Sequence, residues 1–515
     1  VLFGTEEGPG ILVVGNAANN GNANEFGPNR VARIDGFSIT GADHGGGVFA
    51  SGYARNLQVS NNRIYSNQGT YGGGIRVGHV TLLDGEDLTD SQNRNVRIQY
   101  NQISQNGSME GAGGGIALYT GADGYQVREN TVCGNFSTSD GGGIGHLGLS
   151  DGGIIANNAI LFNQTFNQGV GVNGGGLFIG GAAPIAPAVL SEGSGNVEVL
   201  ANLIKGNQAG AGDGGGIRTQ FVNGMDVSSS RNNPGRWFRI NLVNNFVVDN
   251  MAGLAGGGIS LQDTAQAFIR HNTVAHNDST ATVGAAFAPN SPNESTAQPA
   301  GIVSRAHSSA LAAAFGNAPQ VQAFRAFSNP TLANNIVWHN RSFYWKNDAT
   351  CDPATSATPC FGLYPRVGEP FNEPVVYDDL AVMGTAGCLD PRNSILTVLS
   401  DGCTYHASNL AADPLFVAGY FNGSPGQTVV INETTTSLAT APAFDEGGNF
   451  IDVRFGPLTP TGDYHLQDGS PAECLGAAGT GVTTDADGQA RPITTNCTNP
   501  ALPVTNPDAG ADERG

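Results

Sequence analysis

Three sets of side chains have the types and spacing for ligand chemistry. Asp84, Glu86, Asp87 and Asp90 crowd into one short stretch. Carboxylate oxygens at this density suit a hard cation such as Ca²⁺. The spacing is not that of an EF-hand loop, and a solvated acidic loop is the plainer reading. Asp249, His276 and His339 each directly precede an Asn of a recurring motif. Stacked in one column, Asp-His-His is a set for another divalent metal or for acid–base work; beside a turn it is equally an ordinary polar surface. Arg218, Arg231, Arg236, Trp237 and Arg239 form the third set. Trp and Arg make platforms for sugar rings or for a protein partner, although a large ring such as Trp237 also serves to pin its own loop.

Other candidates read as structure. Trp338, Phe343, Tyr344 and Trp345 suggest packing, and Cys133 a small buried apolar residue. His44, His79 and His146 fall in different repeat positions and read as surface or turn residues. Nucleophile-elbow and phosphate-loop patterns are not convincing, because glycine-rich matches arise from the repeat itself. No clean column of Asp or Glu with Arg or Lys emerges, so whether the chain is an enzyme stays open.

The elements that must position these residues are repeats. An Asn-x-apolar-x-x-Asn motif recurs at Asn62/Asn67, Asn101/Asn106, Asn130/Asn135, Asn158/Asn163, Asn202/Asn207, Asn245/Asn250, Asn272/Asn277 and Asn335/Asn340. Gly36/Ser38/Gly41 reads as a degenerate first copy. A second motif, three glycines and an apolar residue, ends at Val48, Ile75, Ile116, Ile144, Leu177, Ile217 and Ile259, with Gly284 to Phe287 as a decayed eighth copy. The two motifs alternate, and short β-type stretches such as Leu57-Gln58-Val59 leave no room for crossover helices. This pattern predicts a parallel β-helix. About nine coils roughly 4.8 Å apart would give a rod ~40 Å long. Asn tolerates left-handed turns and can form side-chain ladders, and glycine permits close approach at another corner.

The step from triplet to next motif is bimodal, 13 or 14 residues in some coils and 25 to 28 in others. Insertions therefore leave from one sector, near 79–94, 180–195, 220–237 and 288–330, and that face is the expected binding face. The expected division is a β-helix over 1–340 and a C-terminal capping region over 341–515.

Composition agrees. Of 515 residues 76 are glycine and 13% are charged, which excludes a long helical bundle and typical disorder. A net charge of −20, with Lys205 and Lys346 the only lysines, argues against nucleic acid or an anionic membrane. No apolar run is long enough to span a bilayer. Six of seven cysteines lie beyond residue 350, a disulfide pattern of an oxidising compartment. The connectivity is open from sequence; pairing of neighbours, Cys351–Cys360, Cys388–Cys403 and Cys474–Cys497, is the expected one. A start at Val1 fits a piece of a larger exported protein.

The GGGI and NNRIYSNQ-like segments resemble the right-handed parallel β-helix superfamily of pectate-lyase shape and the repeats of polymorphic outer-membrane proteins of bacteria. Residues 485–492 (DADGQARP) with 507–513 (PDAGADE) resemble the end of choice-of-anchor Q proteins. The resemblance implies a secreted or bacterial cell-surface module with a structural or ligand-binding role, its partner a glycan or a protein. It is also compatible with a polysaccharide lyase or glycoside hydrolase, and with an accessory module beside multicopper-oxidase domains of a larger precursor; the copper-binding His motifs of such domains are absent from this sequence.

Overall fold

The computed structural model describes residues 8–15, 31–79 and 90–420, the strands Gly426–Val429 and Ile451–Arg454, and residues 462–512. Within these ranges it omits 168–169, 185, 187–188, 349, 353, 356–359, 368–372, 493–496 and 498–500. The chain is an all-β parallel solenoid. Four parallel sheets run along it, with 10, 10, 11 and 8 strands among the described residues. Each coil visits them in one order: sheet I (as Ile75–Val77), sheet II (Arg97–Gln99), sheet III (Gln102–Ser104) and sheet IV (Gly107–Ser108).

Register follows the motifs. In sheet I, Val48, Ile75, Ile116, Ile144, Leu177, Ile217, Ile259, Ile302 and Leu380 stand side by side in successive coils. These residues, with Ile64, Ile103, Val132 and Ile160 of sheet III, fill one continuous apolar core.

The Asn and Gly patterns are two halves of one corner. Each second Asn of the motif donates from Nδ2 to Oδ1 of its equivalent in the next coil, as from Asn163 to Asn207 at 2.9 Å. It also donates to a carbonyl of the preceding coil, as Asn163 does to Val132 at 2.9 Å. The third glycine of the triplet lies against this ladder. A Cβ on Gly176 would meet Asn207 Nδ2 at 2.9 Å and the Gly216 carbonyl at 2.8 Å. The buried amide ladder thus requires a residue without a side chain beside it. The first Asn column forms an equal ladder between sheets II and III, as Asn158 Nδ2 to Asn202 Oδ1 at 3.0 Å.

Two repeat assignments shift. The eighth copy of the glycine motif leads into Ile302–Arg305, the ninth strand of sheet I and in register with Ile259, whereas Gly284–Ala286 is a 3-10 turn. Gly301 keeps the ladder-side position, with Asn340 Nδ2 only 3.0 Å from a Cβ there, and loss of the other two glycines hides the copy. The first copy is Phe37/Ile39/Ala42, one residue on from Gly36/Ser38/Gly41, because Ile39 pairs with Ile64. Gly36 and Gly41 instead supply the left-handed turns just before Phe37 and Ala42, at φ 77° and 74°. The stretch 288–330 holds one strand of a single coil, not an additional coil.

The solenoid continues past residue 340. Leu380–Met383, Pro391–Arg392 and Ile395–Leu396 extend sheets I, II and III. The cysteines pair as 351–360, 388–403 and 474–497. The end of the chain then turns back along the outside of sheet III. There Tyr464, Leu466, Leu475, Ala509 and Ala511 pack on Phe246, Val248, Ala275, Ile336 and Trp338. Among the described residues no helix is long and apolar enough to cross a membrane.

Candidate functional site: a groove beside the returning segment

One left-handed residue precedes each ladder Asn, and these residues decide what each corner presents outward. Before the first Asn they are Asn61, Tyr100, Glu129, Asn157, Ala201, Asn244, His271 and Asn334, all at φ between 53° and 59°. The later members hold the returning segment. Asn244 Nδ2 donates to the Thr484 carbonyl at 2.6 Å, and Asn334 exchanges bonds with Ala477 at 2.7 and 3.0 Å. His271 reaches Thr480 Oγ1 at 3.2 Å, and beside it Arg270 donates to the Thr480 carbonyl at 2.6 Å. Burial lowers the His271 pKa to about 3, so the ring docks as a neutral group.

Beside the returning segment a groove of about 1010 Å³ opens. Its floor is the outer surface of sheets II and III across several coils, including Arg128, Glu129, Asn157, Glu198, Leu200, Ala201 and Asn241. Its wall is residues 480–488. Glu129, Asn157 and Glu198 are exposed, and Arg128 and Asn241 half-buried. The groove thus offers charges of both signs and amides on an aliphatic base, repeated at the coil spacing of roughly 4.8 Å. Such an array can bind an extended polar chain through several hydrogen bonds at once.

The column Asp249, His276, His339 forms in successive coils, as the strand register requires. The returning segment covers part of it. Tyr464 Oη donates to Asp249 at 2.8 Å, and Lys205 Nζ lies 3.6 Å from the same carboxylate. His276 Nδ1 faces the Tyr420 carbonyl at 2.8 Å, and His339 stacks between Trp338 and Tyr377 with centroids 4.1 and 4.2 Å away. Burial raises Asp249 to about 7 against the attraction of Lys205, and lowers His276 to about 3. Asp84, Glu86 and Asp87 lie outside the described residues.

The Arg-Trp set separates. Trp237 is 3% exposed; Nε1 donates to the Ser230 carbonyl at 2.9 Å and its ring meets Phe315 and Phe324 edge-on. Arg218 is buried on sheet I, pairing with Asp213 at 3.1 Å and Gln262 at 2.5 Å. Arg236 is exposed. His146 corrects a surface assignment: it is wholly buried, bonded to Tyr125 Oη at 2.9 Å and to the Ser194 carbonyl at 3.0 Å, because it stands in register with Leu118 and Ile179 at the inward-facing position of sheet I.

The groove residues escaped the sequence reading, which followed the column before the second Asn and not the one before the first. Asn157, Ala201 and Asn244 stand in that neglected column. Searched against family models, curated proteins and solved structures, the chain finds no match. The class it defines is a parallel β-solenoid with a lateral groove.

Proposed function

We propose that the chain is an extracellular binding module whose ligand is an extended glycan lying in the groove between the sheet II–III corner and residues 480–488. The observation that carries this reading is the groove itself, long across the coils and lined by amides and by charges of both signs. Three disulfides support an oxidising, exported setting. Hydroxyl-rich polymers suit such a surface, because bidentate amide and carboxylate groups satisfy many hydroxyls without a deep apolar pocket.

Glycan-array screening followed by calorimetry tests it. Glu198 is exposed on a strand, so Glu198→Trp fills the groove without touching the core. Affinity for the retained glycan falls at least tenfold, with melting temperature unchanged. Absence of any retained glycan, or full binding by the filled variant, refutes the proposal. Monitoring the bound glycan for chain cleavage in the same samples separates binding from a lyase or hydrolase activity.

A further inference from the structure

We propose that His465, Asp487 and Asp512 form a site for one divalent cation of the zinc class. Their ligand atoms all lie within 4.8 Å of one another. They come from three separate pieces of the returning segment: the strand Asp463–Leu466, the turn at 485–489 and the end of the described chain.

Each ligand is prepared by its surroundings. Nδ1 of His465 is engaged by Asp463 Oδ1 at 2.5 Å, and Asp463 is further fixed by the His465 amide at 3.0 Å. A carboxylate on one ring nitrogen, orienting the other toward a cation, is the usual support of a metal-bound histidine. Nε2 is that other nitrogen, and it points at Asp487 Oδ2, 2.8 Å away. Asp512 is only 6% exposed. Its Oδ2 accepts the Leu466 amide at 2.8 Å, and its other oxygen has no hydrogen-bond donor among the described residues. Asp485 is already committed, accepting the amides of Asp487 and Gln489 at 2.9 and 2.7 Å, and so shapes the turn that presents Asp487.

Charge and donor type point to the same ion class. Asp463, Asp487 and Asp512 crowd a single imidazole, so carboxylates are in surplus there. A divalent cation offsets that surplus. One nitrogen with two carboxylate oxygens suits Zn²⁺, whereas Ca²⁺ takes oxygen ligands almost exclusively. Three protein ligands leave a coordination position for water or a ligand atom, and Asp487 also lines the groove. The site stands whether or not the groove holds a glycan.

The test is calorimetric titration of the full chain, stripped with chelator, by Zn²⁺ and separately by Ca²⁺. The expected result is one saturable Zn²⁺ equivalent, with Ca²⁺ at least tenfold weaker. His465→Gln abolishes that equivalent, and Asp463→Asn weakens it roughly 10- to 100-fold as loss of the orienting partner does elsewhere. Circular dichroism of each metal-free variant reports folding; should His465→Gln fail to fold, exposed Asp487→Asn takes its place and removes the same equivalent. No saturable binding, Ca²⁺ as tight as Zn²⁺, or Zn²⁺ binding intact in the folded variants overturns the proposal.

Discussion

At the scale of single residues, stability rests on amides that face inward. Asn163 donates to Asn207 and to Val132, and accepts from Asn135 Nδ2 at 2.9 Å and the Asn135 amide at 3.0 Å. Asn163→Ala therefore leaves several buried polar groups unpaired and costs about 3 kcal/mol, measurable by denaturant unfolding. Gly176→Ala drives a methyl into the same ladder at a cost of about 1–3 kcal/mol; a neutral result at both sites would contradict the ladder as a source of stability. Buried histidines set an acid limit. Burial lowers His276 from 6.5 to about 3, so its contribution to stability is complete above pH 6.5 and is lost as pH falls toward 3. Asp249, raised from 3.8 to about 7, acts with the opposite sign over much the same range, its contribution present below 3.8 and lost as pH rises to 7. His276→Gln is expected to tilt the melting-temperature profile toward acid, because the loss from Asp249 between pH 3.8 and 7 is then unopposed.

At the scale of elements, insertions behave as a layer of their own. The helices Met225–Ser229 and Ser309–Ala314 pack through Val227, Trp237, Leu311, Phe315 and Val321 into a small apolar cluster apart from the main core. Arg231 ties them together by donating to the Ala314 carbonyl at 2.7 Å. Trp237→Ala removes the centre of that cluster. Hydrogen exchange then rises across 225–237 and 309–324, while amides beside the Asn ladders stay protected. The strands were legible in sequence because each motif serves one local corner, so Ile75, Ile116 and Ile144 announce their register by spacing alone. The return of the chain was not. It depends on residues as distant as Phe246 and Ala511, whose meeting no period in the sequence encodes. The same gap explains the site: the column before the first Asn was visible, but its meaning came only from where residues 480–488 lie against it.

For the whole molecule, the returning segment closes one flank of the rod. It covers Phe246, Ile336 and Trp338, which would otherwise form an exposed apolar strip beside strand edges. Truncation before residue 413 is expected to leave the coils intact but self-associating, seen as a rise in light-scattering mass; a monomeric truncated chain would mean that the strip needs no cover. Reduction of Cys474–Cys497, which closes a loop with sequence separation 23, loosens the same flank by about 3 kcal/mol.

The unequal coils carry a mechanical consequence. Successive Asn of the first ladder are 39, 29, 28, 44, 43, 27 and 63 residues apart. If the chain were pulled from its ends, the hydrogen bonds between coils would lie along the load, and the coils would peel away in succession. Each rupture would release slack set by that coil alone, from roughly 90 Å for the shortest to roughly 220 Å for the longest at ~3.5 Å per residue. A single-molecule extension trace would thus show steps of unequal length, in which the insertions could be counted off in order along the rod.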